Sequence, residues 1–237
     1  MQDIKIILYI RRQDQHIQSV YQQWIRAGLT HDSIFTFIPS YTDNFLAIAE
    51  GWANQFSKAE VDVGIYDKEL FVNQSLTYDF LTRLDIEEFS LFKNQEEQVN
   101  LSFSLSVIEV LRYITKEPQL KGILGSVVDY IGKNELTNSL FITKCLNLIP
   151  PNISTEIISK FYDQNTKLFI KYLPKYDPDL FSTQIAKSVS EWKQPTISAE
   201  SIQDILEILA RNNSIFSKIN VDKIFDMHKA DYKSWYT

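Results

Sequence analysis

The sequence contains one pattern suited to binding a phosphate. Arg11 and Arg12 directly follow the apolar run of residues 4–10, and Ser19 comes eight residues after Arg11. Guanidinium groups bind phosphate oxygens in bidentate pairs, and the amides at a helix N-terminus favour an anion. The spacing therefore favours a phosphate ligand, although arginines paired with nearby acids would show the same pattern.

Other chemistries have weaker support. The three histidines, His16, His31 and His228, lie far apart and match no zinc-binding spacing, so no metal is expected. The single cysteine, Cys145, lies in an apolar stretch and is predicted to be a buried thiol. Carboxylates around a later strand are acid–base candidates, but solvated loop residues would look the same: Asp62, Asp67 and Glu69. No catalytic residue is identified.

The phosphate-binding pattern must be positioned by a strand and a helix. The β-branched run of residues 4–10 predicts a strand of a parallel sheet, buried on both faces. Asp14 is a candidate N-cap for the helix that follows, and Gly28 suits the position just past its end. Arg11 and Ser19 would then lie at or near the carboxyl end of a strand, where open α/β sheets bind ligands.

The rest of the chain divides into two parts. A surface connection over residues 29–40, a helix over 41–56, a strand over 61–66 and a helix over 76–84 continue an α/β pattern. Residues 87–100 form a polar stretch that predicts a loop or weak helix, and the pattern beyond them shows no convincing strand. Ser104 and Ser198 begin two helices of this part, with another over 136–149. We predict an α/β nucleotide-binding part, residues 1–86, followed by a mainly helical part, residues 87–237.

Composition limits the classes of partner. The chain has 237 residues, a net charge of -6 and a pI near 5.2, which argues against a broad nucleic-acid-binding surface. It contains no apolar run of the roughly 20 residues that a membrane helix requires, and no signal-peptide pattern. These features predict a cytoplasmic protein.

The segment around the two arginines resembles a known family. A strand, an arginine, seven further residues and a serine make up IILYIRRQDQHIQSVYQQW. This stretch resembles the 3′-phosphate-binding segment of the sulfotransferase superfamily, especially bacterial sulfotransferase-like proteins of surface-polysaccharide synthesis. The stretch Val61–Leu84 is similar to that family's later strand, Tyr-acid loop and helix, and Asn100–Ser104 resembles the Asn-x-Ser stretch before its helical part.

The resemblance implies roles for four residues. Arg11 and Ser19 match the pair that grips the 3′-phosphate of 3′-phosphoadenosine 5′-phosphosulfate (PAPS). Arg12 stands where many members have Asn, so it either aids that contact or flanks it. Tyr66 matches a tyrosine that lies near the adenine. The implied fold is a partial P-loop-type parallel sheet, and the implied reaction is metal-free transfer of a sulfuryl group from PAPS to a glycan hydroxyl.

One part of the family pattern has no counterpart. The family's 5′-phosphosulfate loop precedes the Arg…Ser segment, whereas only three residues precede Ile4. We therefore expect either a fragment or a member without that loop, whose activity depends on the loop being supplied. The alternative is a non-catalytic scaffold protein of a polysaccharide pathway, contacting partners through its helical half, with a homodimer covering the open strand edge. A glycosyltransferase has less support, because Asp85-Ile86-Glu87 is the nearest approach to a DxD motif.

Overall fold

A computed structural model describes residues 4–56, 58–86, 102–134, 140–143, 146–188 and 192–233. Within these residues the protein is α/β, mostly helical, with a small two-stranded parallel sheet. The chain forms two compact units that alternate along the sequence. The first unit comprises Met1–His16, Thr42–Val99 and Pro151–Glu191, and the second comprises Ile17–Tyr41, Asn100–Pro150 and Trp192–Thr237.

The elements follow one another in a mixed order. The strands are β1 (Lys5–Ile10), β2 (Glu60–Ile65), β3 (Ser102–Phe103) and β4 (Ile142–Thr143). The α-helices are α1 (Gln13–Arg26), α2 (Ile34–Phe37), α3 (Phe45–Gln55), α4 (Leu76–Arg83), α5 (Leu105–Lys116), α6 (Leu124–Asn134), α7 (Pro151–Lys160), α8 (Tyr162–Tyr172), α9 (Leu180–Ser188), α10 (Ala199–Ala210) and α11 (Val221–Lys233). Short 3₁₀ helices span Ile38–Ser40, Lys68–Leu70, Val72–Gln74, Lys121–Ile123 and Ser214–Lys218.

The sheet of the first unit pairs β1 with β2 in parallel, in a register running from Lys5 opposite Glu60 to Ile10 opposite Ile65. This confirms the predicted parallel pairing. The prediction that β1 is buried on both faces is wrong, because only Ile10 is buried and residues 5–9 keep intermediate exposure. Side chains alternate along a strand, so β1 and β2 present one face to the core and the other to a polar network.

The core of the first unit lies on one face of this sheet. Helices α3 and α8 pack on β2, and α7 packs on α9. Buried side chains from these elements form one cluster: Ile10, Phe45, Ala49, Val63, Ile65, Ile158, Leu168, Phe169, Leu173, Phe181 and Ile185. Helices α7 to α9 come from the part of the chain that was predicted to be helical, and they complete the core of the unit that holds the sheet.

The other face of the sheet carries a hydrogen-bonded network. Tyr9 Oη and Arg83 Nε both donate to Asp79 Oδ2, at 2.7 and 2.8 Å, and Arg83 Nη1 also donates to Asp62 Oδ1. Gly64 lies beneath this network, and a Cβ there would come within 2.8 Å of Tyr9 Cε1 and 2.9 Å of Arg83 Cζ. A larger residue at position 64 would therefore displace the side chain of Tyr9 or Arg83 and disturb the network.

We expect Asp79 to make the stability of the first unit sensitive to acid. Burial raises the pKa of Asp79, but hydrogen bonds from Tyr9 and Arg83 outweigh it and hold this pKa below its ordinary value of 3.8. The stabilising contribution is therefore complete above pH 3.8 and is lost as the pH falls through the folded-state pKa. Urea denaturation between about pH 5 and about pH 3 should show a smaller loss of stability for Asp79→Asn than for the wild type. The exposed-site variant Asp163→Asn should behave like the wild type, and an equal loss in all three proteins would contradict this expectation.

The second unit is built around α5, which contacts α10 and α11. As predicted, Ser104 caps α5 by accepting a hydrogen bond from Val107 N, and Ser198 caps α10. Two predictions for this unit are wrong. Residues 29–40 include the short helix α2, whose Ile34, Phe35 and Phe37 are buried. Strands β3 and β4 pair antiparallel where no strand was expected, and β4 lies within the helix predicted over 136–149. Two-residue strands are too short to show an alternating pattern.

Some sequence predictions lie outside the described residues. These are the polar stretch over residues 87–100 and the environment of Cys145. The predicted domain boundary after residue 86 adjoins that stretch and stays a prediction.

Candidate functional site

The candidate site lies at the carboxyl ends of β1 and β2. Arg11 and Tyr66 are the residues that directly follow the last register pair, Ile10 and Ile65, so the parallel sheet places them side by side. The guanidinium carbon of Arg11 lies 5.6 Å from the ring centroid of Tyr66, within the range of a cation–π contact. The structure therefore brings together two residues that are 55 positions apart in the sequence.

The surroundings orient both side chains. Arg11 is half-buried, and its Nε donates a 3.1 Å hydrogen bond to Oε1 of Gln15 in the first turn of α1. The ring of Tyr66 packs edge-on against Phe71, with centroids 5.5 Å apart, yet Tyr66 remains 40% exposed. This arrangement presents a cation beside an accessible aromatic face, which suits a phosphate linked to a flat base.

Arg12 has a different environment. Its Nε and Nη2 donate to the two carboxylate oxygens of Asp14, at 2.7 and 3.0 Å. The side chains are only 10% and 4% exposed, so the pair is a largely buried bidentate ion pair. Asp14 was predicted to cap α1, but it lies inside the first turn and binds Arg12 instead. Arg12 thus anchors the start of the helix.

Ser19 lies farther along α1, where the helix belongs to the second unit, whereas Arg11 belongs to the first. Its side chain is half-buried. The contribution of Ser19 to phosphate binding stays a prediction.

The long-range partners of two residues around the site could not be found from the sequence. Asp67, the acid that follows Tyr66, accepts hydrogen bonds from Glu69 N at 3.0 Å and from Gln184 Nε2 at 2.8 Å, so it shapes the turn after β2. Buried Gln13 exchanges two amide hydrogen bonds with Asn165, at 2.6 and 3.1 Å. Gln184 and Asn165 lie more than a hundred residues from their partners in the sequence, and amide side chains form no recognisable motif.

His16 is a further group that the sequence left without a role. Its ring packs edge-on against Phe45, and its Nδ1 lies 3.6 Å from a carboxylate oxygen of Asp43. Burial lowers the pKa of His16, the Asp43 carboxylate opposes that shift, and the positive charge of Arg11 adds to it. The lowered pKa favours a neutral imidazole near pH 7, the form that can accept a proton.

The described residues offer neither a metal site nor a membrane span. Within them, no group of three or more His, Cys, Asp and Glu side chains could hold a metal ion. None of the helices in this part of the chain is both long and apolar enough to cross a membrane.

Comparison with known proteins gives one relative. An uncharacterized protein from Archaeoglobus fulgidus is 27% identical over 236 residues, which cover 92% of this chain and 62% of that protein. The chain thus spans less than two thirds of that relative's length. No family model matches the chain, and no solved structure matches it. Because the relative is uncharacterized, the function of this chain is inferred from its own residues.

Proposed function

We propose that this chain is a sulfotransferase-like protein of a polysaccharide pathway, with a site for a 3′-phosphoadenosine nucleotide in its first unit. In this proposal β1 and β2 form part of a P-loop-type sheet, Arg11 binds the 3′-phosphate, and Tyr66 lies against the adenine. The role of Ser19 stays the prediction that the family resemblance implies, and Arg12 holds the start of α1.

The observation that carries the proposal is the convergence of Arg11 and Tyr66 at the carboxyl ends of two parallel strands. Ligands of open α/β sheets bind at this edge, beyond the ends of the strands. A guanidinium group binds a phosphate through parallel hydrogen bonds, and an exposed aromatic ring stacks on any base. One half-buried cation beside one exposed ring therefore matches the two chemically distinct ends of a phosphorylated nucleoside.

The proposed reaction is the transfer of the sulfuryl group that PAPS carries. A glycan hydroxyl oxygen attacks the sulfur of PAPS, and the bond between that sulfur and the bridging oxygen of the 5′-phosphate breaks. The sulfuryl group passes to the acceptor, the hydroxyl proton passes to a base, and adenosine 3′,5′-bisphosphate leaves. This transfer requires groups that neutralise charge on the 5′-phosphosulfate. In our proposal a loop supplied in addition to the described residues provides them.

Replacing Arg11 by alanine should abolish recognition of the 3′-phosphate. Calorimetric titration of the wild type should give tighter binding of adenosine 3′,5′-bisphosphate than of adenosine 5′-monophosphate, which lacks the 3′-phosphate. A charge-assisted bidentate contact corresponds to a preference of about 10- to 100-fold. The Arg11→Ala variant should bind both nucleotides equally weakly, because the preference depends on the guanidinium group.

The matched control is Lys68→Ala, which removes one exposed positive charge two residues after Tyr66. Lys68→Ala should keep the wild-type preference for the 3′-phosphorylated nucleotide, because Lys68 lies on the turn after β2 and has no role in the proposed phosphate contact. An unchanged preference in Arg11→Ala would refute the assignment of Arg11.

A scaffold function is the second candidate. The helix α3 carries Ile48 and Trp52, and Phe56 caps its end; the three residues follow a four-residue spacing, and all are exposed. The rings of Trp52 and Phe56 stack with centroids 5.9 Å apart. An exposed apolar stripe of this kind suits contact with another protein. A folded wild-type protein that binds neither nucleotide would favour this candidate over the first.

A further inference from the structure

The second unit contains an open cleft of about 440 Å³. One wall is formed by the start of α5, with Ser104 and Ser106, by Thr143 of β4, and by Asn147 farther along the chain. The other wall is the segment 193–196, which lies before α10 and has no regular secondary structure. The volume falls within the range of small-molecule sites, which is about 300–1,000 Å³.

Hydrogen bonds hold the two walls together at both ends of the segment 193–196. Before it, Trp192 Nε1 donates to the backbone oxygen of Asn147 at 3.3 Å. After it, Ser201 belongs to the capping box of α10, and its hydroxyl lies 2.7 Å from the hydroxyl of Ser106. The residues that flank the segment are therefore bonded to α5 and to Asn147, so the cleft is formed before a ligand arrives. A preformed site avoids the entropic cost of ordering a loop on binding.

The side chains that line the cleft indicate the chemical class of its ligand. Short hydroxyl and amide side chains dominate it: Ser106, Thr143, Asn147, Gln194 and Thr196. Lys193 is the one charged residue among the described residues that line the cleft, although the whole chain carries a net charge of -6. A cation among uncharged polar groups, in an otherwise acidic protein, favours an anion that also carries several hydroxyl groups. Leu105, Leu146 and Pro195 supply apolar surface for the carbon skeleton.

We propose that this cleft binds a hydroxylated carboxylate of the size of a sugar acid. Lys193 binds the carboxylate, and the hydroxyl and amide side chains of the two walls bind the ring hydroxyls. The cleft belongs to the second unit, so this proposal is independent of the nucleotide site and remains testable if that site fails.

The test is a titration followed by ¹⁵N–¹H correlation spectra, with glucuronate as the probe and glucose as its uncharged counterpart. Glucuronate should produce saturable shifts in the amide signals of residues 193–196 and of Ser106. Glucose should bind at least about tenfold more weakly, the ratio that corresponds to loss of one charge-assisted contact.

Two variants at exposed positions of the segment keep the test independent of folding. Lys193→Ala should weaken glucuronate binding about tenfold and remove the preference over glucose, because the carboxylate loses its partner. Thr196→Trp should fill the cleft and abolish the shifts caused by either probe. The control, Lys121→Ala, removes another exposed lysine of the second unit and should leave binding unchanged.

Three results would overturn the proposal. The first is the absence of saturable shifts with the wild type. The second is equal binding of glucose and glucuronate, and the third is an equal effect of Lys193→Ala and Lys121→Ala.

Discussion

Replacing Arg112 by alanine should destabilise the second unit by about 3–5 kcal/mol, the usual cost of removing one partner from a buried ion pair. Arg112 is 2% exposed. Its Nη1 donates to Glu109 Oε2 at 2.6 Å, its Nη2 donates to Asp231 Oδ2, and its Nε donates to the backbone oxygen of His31 at 3.1 Å. Burial lowers the pKa of Arg112, but the carboxylates of Glu109 and Asp231 outweigh that effect and raise it, so the guanidinium stays charged.

The large effect follows from what the substitution leaves behind. Without Arg112, the fully buried Glu109 carboxylate would lose this cation, and the backbone at His31 and the side chain of Asp231 on α11 would each lose a hydrogen bond to α5. An unpaired buried charge is costly because neither water nor protein compensates it. Urea denaturation should therefore show a lower midpoint, and hydrogen exchange should show faster exchange in α5 and α11.

Two comparison variants distinguish the cost of an unpaired buried charge from the cost of lost packing. Arg211→Ala removes an exposed arginine after α10 and should change stability by no more than about 0.5 kcal/mol. The triple variant Arg112→Met, Glu109→Met and Asp231→Leu replaces the whole cluster with apolar side chains and should recover much of the loss. If the triple variant were less stable than Arg112→Ala, the cost would lie in the packing and the charge explanation would be wrong.

Replacing Phe169 by alanine should destabilise the first unit by about 3–5 kcal/mol, as expected for a large-to-small change in a core. Phe169 is fully buried on α8, in the cluster that covers one face of the sheet. Its ring meets Phe181 edge-on, with centroids 5.2 Å apart and an interplanar angle of 88°. The substitution would remove the ring and its aromatic contact and leave a cavity beneath β1 and β2.

The neighbouring residue provides a matched control. Ile170 follows Phe169 on the same helix turn and is 66% exposed. Ile170→Ala should therefore change the free energy of unfolding by no more than about 0.5 kcal/mol. Hydrogen exchange measured on individual peptides should show that Phe169→Ala loses protection of the backbone amides in β1 and β2. If Phe169→Ala and Ile170→Ala lowered the free energy of unfolding equally, Phe169 would not be the residue of α8 that packs in the core.

Strong local patterns were predictable from the sequence. The run of β-branched residues before Arg11 predicted a parallel strand, and the pairing of β1 with β2 confirms it. Ser104 and Ser198 were predicted as helix starts because a hydroxyl residue ahead of an apolar periodic stretch satisfies the first amides of a helix, and both cap a helix. The position of Arg11 directly after a strand was predictable from the same β-branched run.

The partners of charged and polar side chains were decided only by the tertiary structure. The sequence allowed either arginine to bind a phosphate, and only the structure shows that Arg12 pairs with Asp14 whereas Arg11 lies beside Tyr66. Likewise, no pattern connects Arg112 with Asp231, which is 119 residues away. For the contacts of Arg11 with Tyr66 and of Arg112 with Asp231, the physical reason is separation along the sequence. Helix and strand patterns arise from residues within a few positions of one another, whereas these contacts depend on which surfaces meet after the chain has folded.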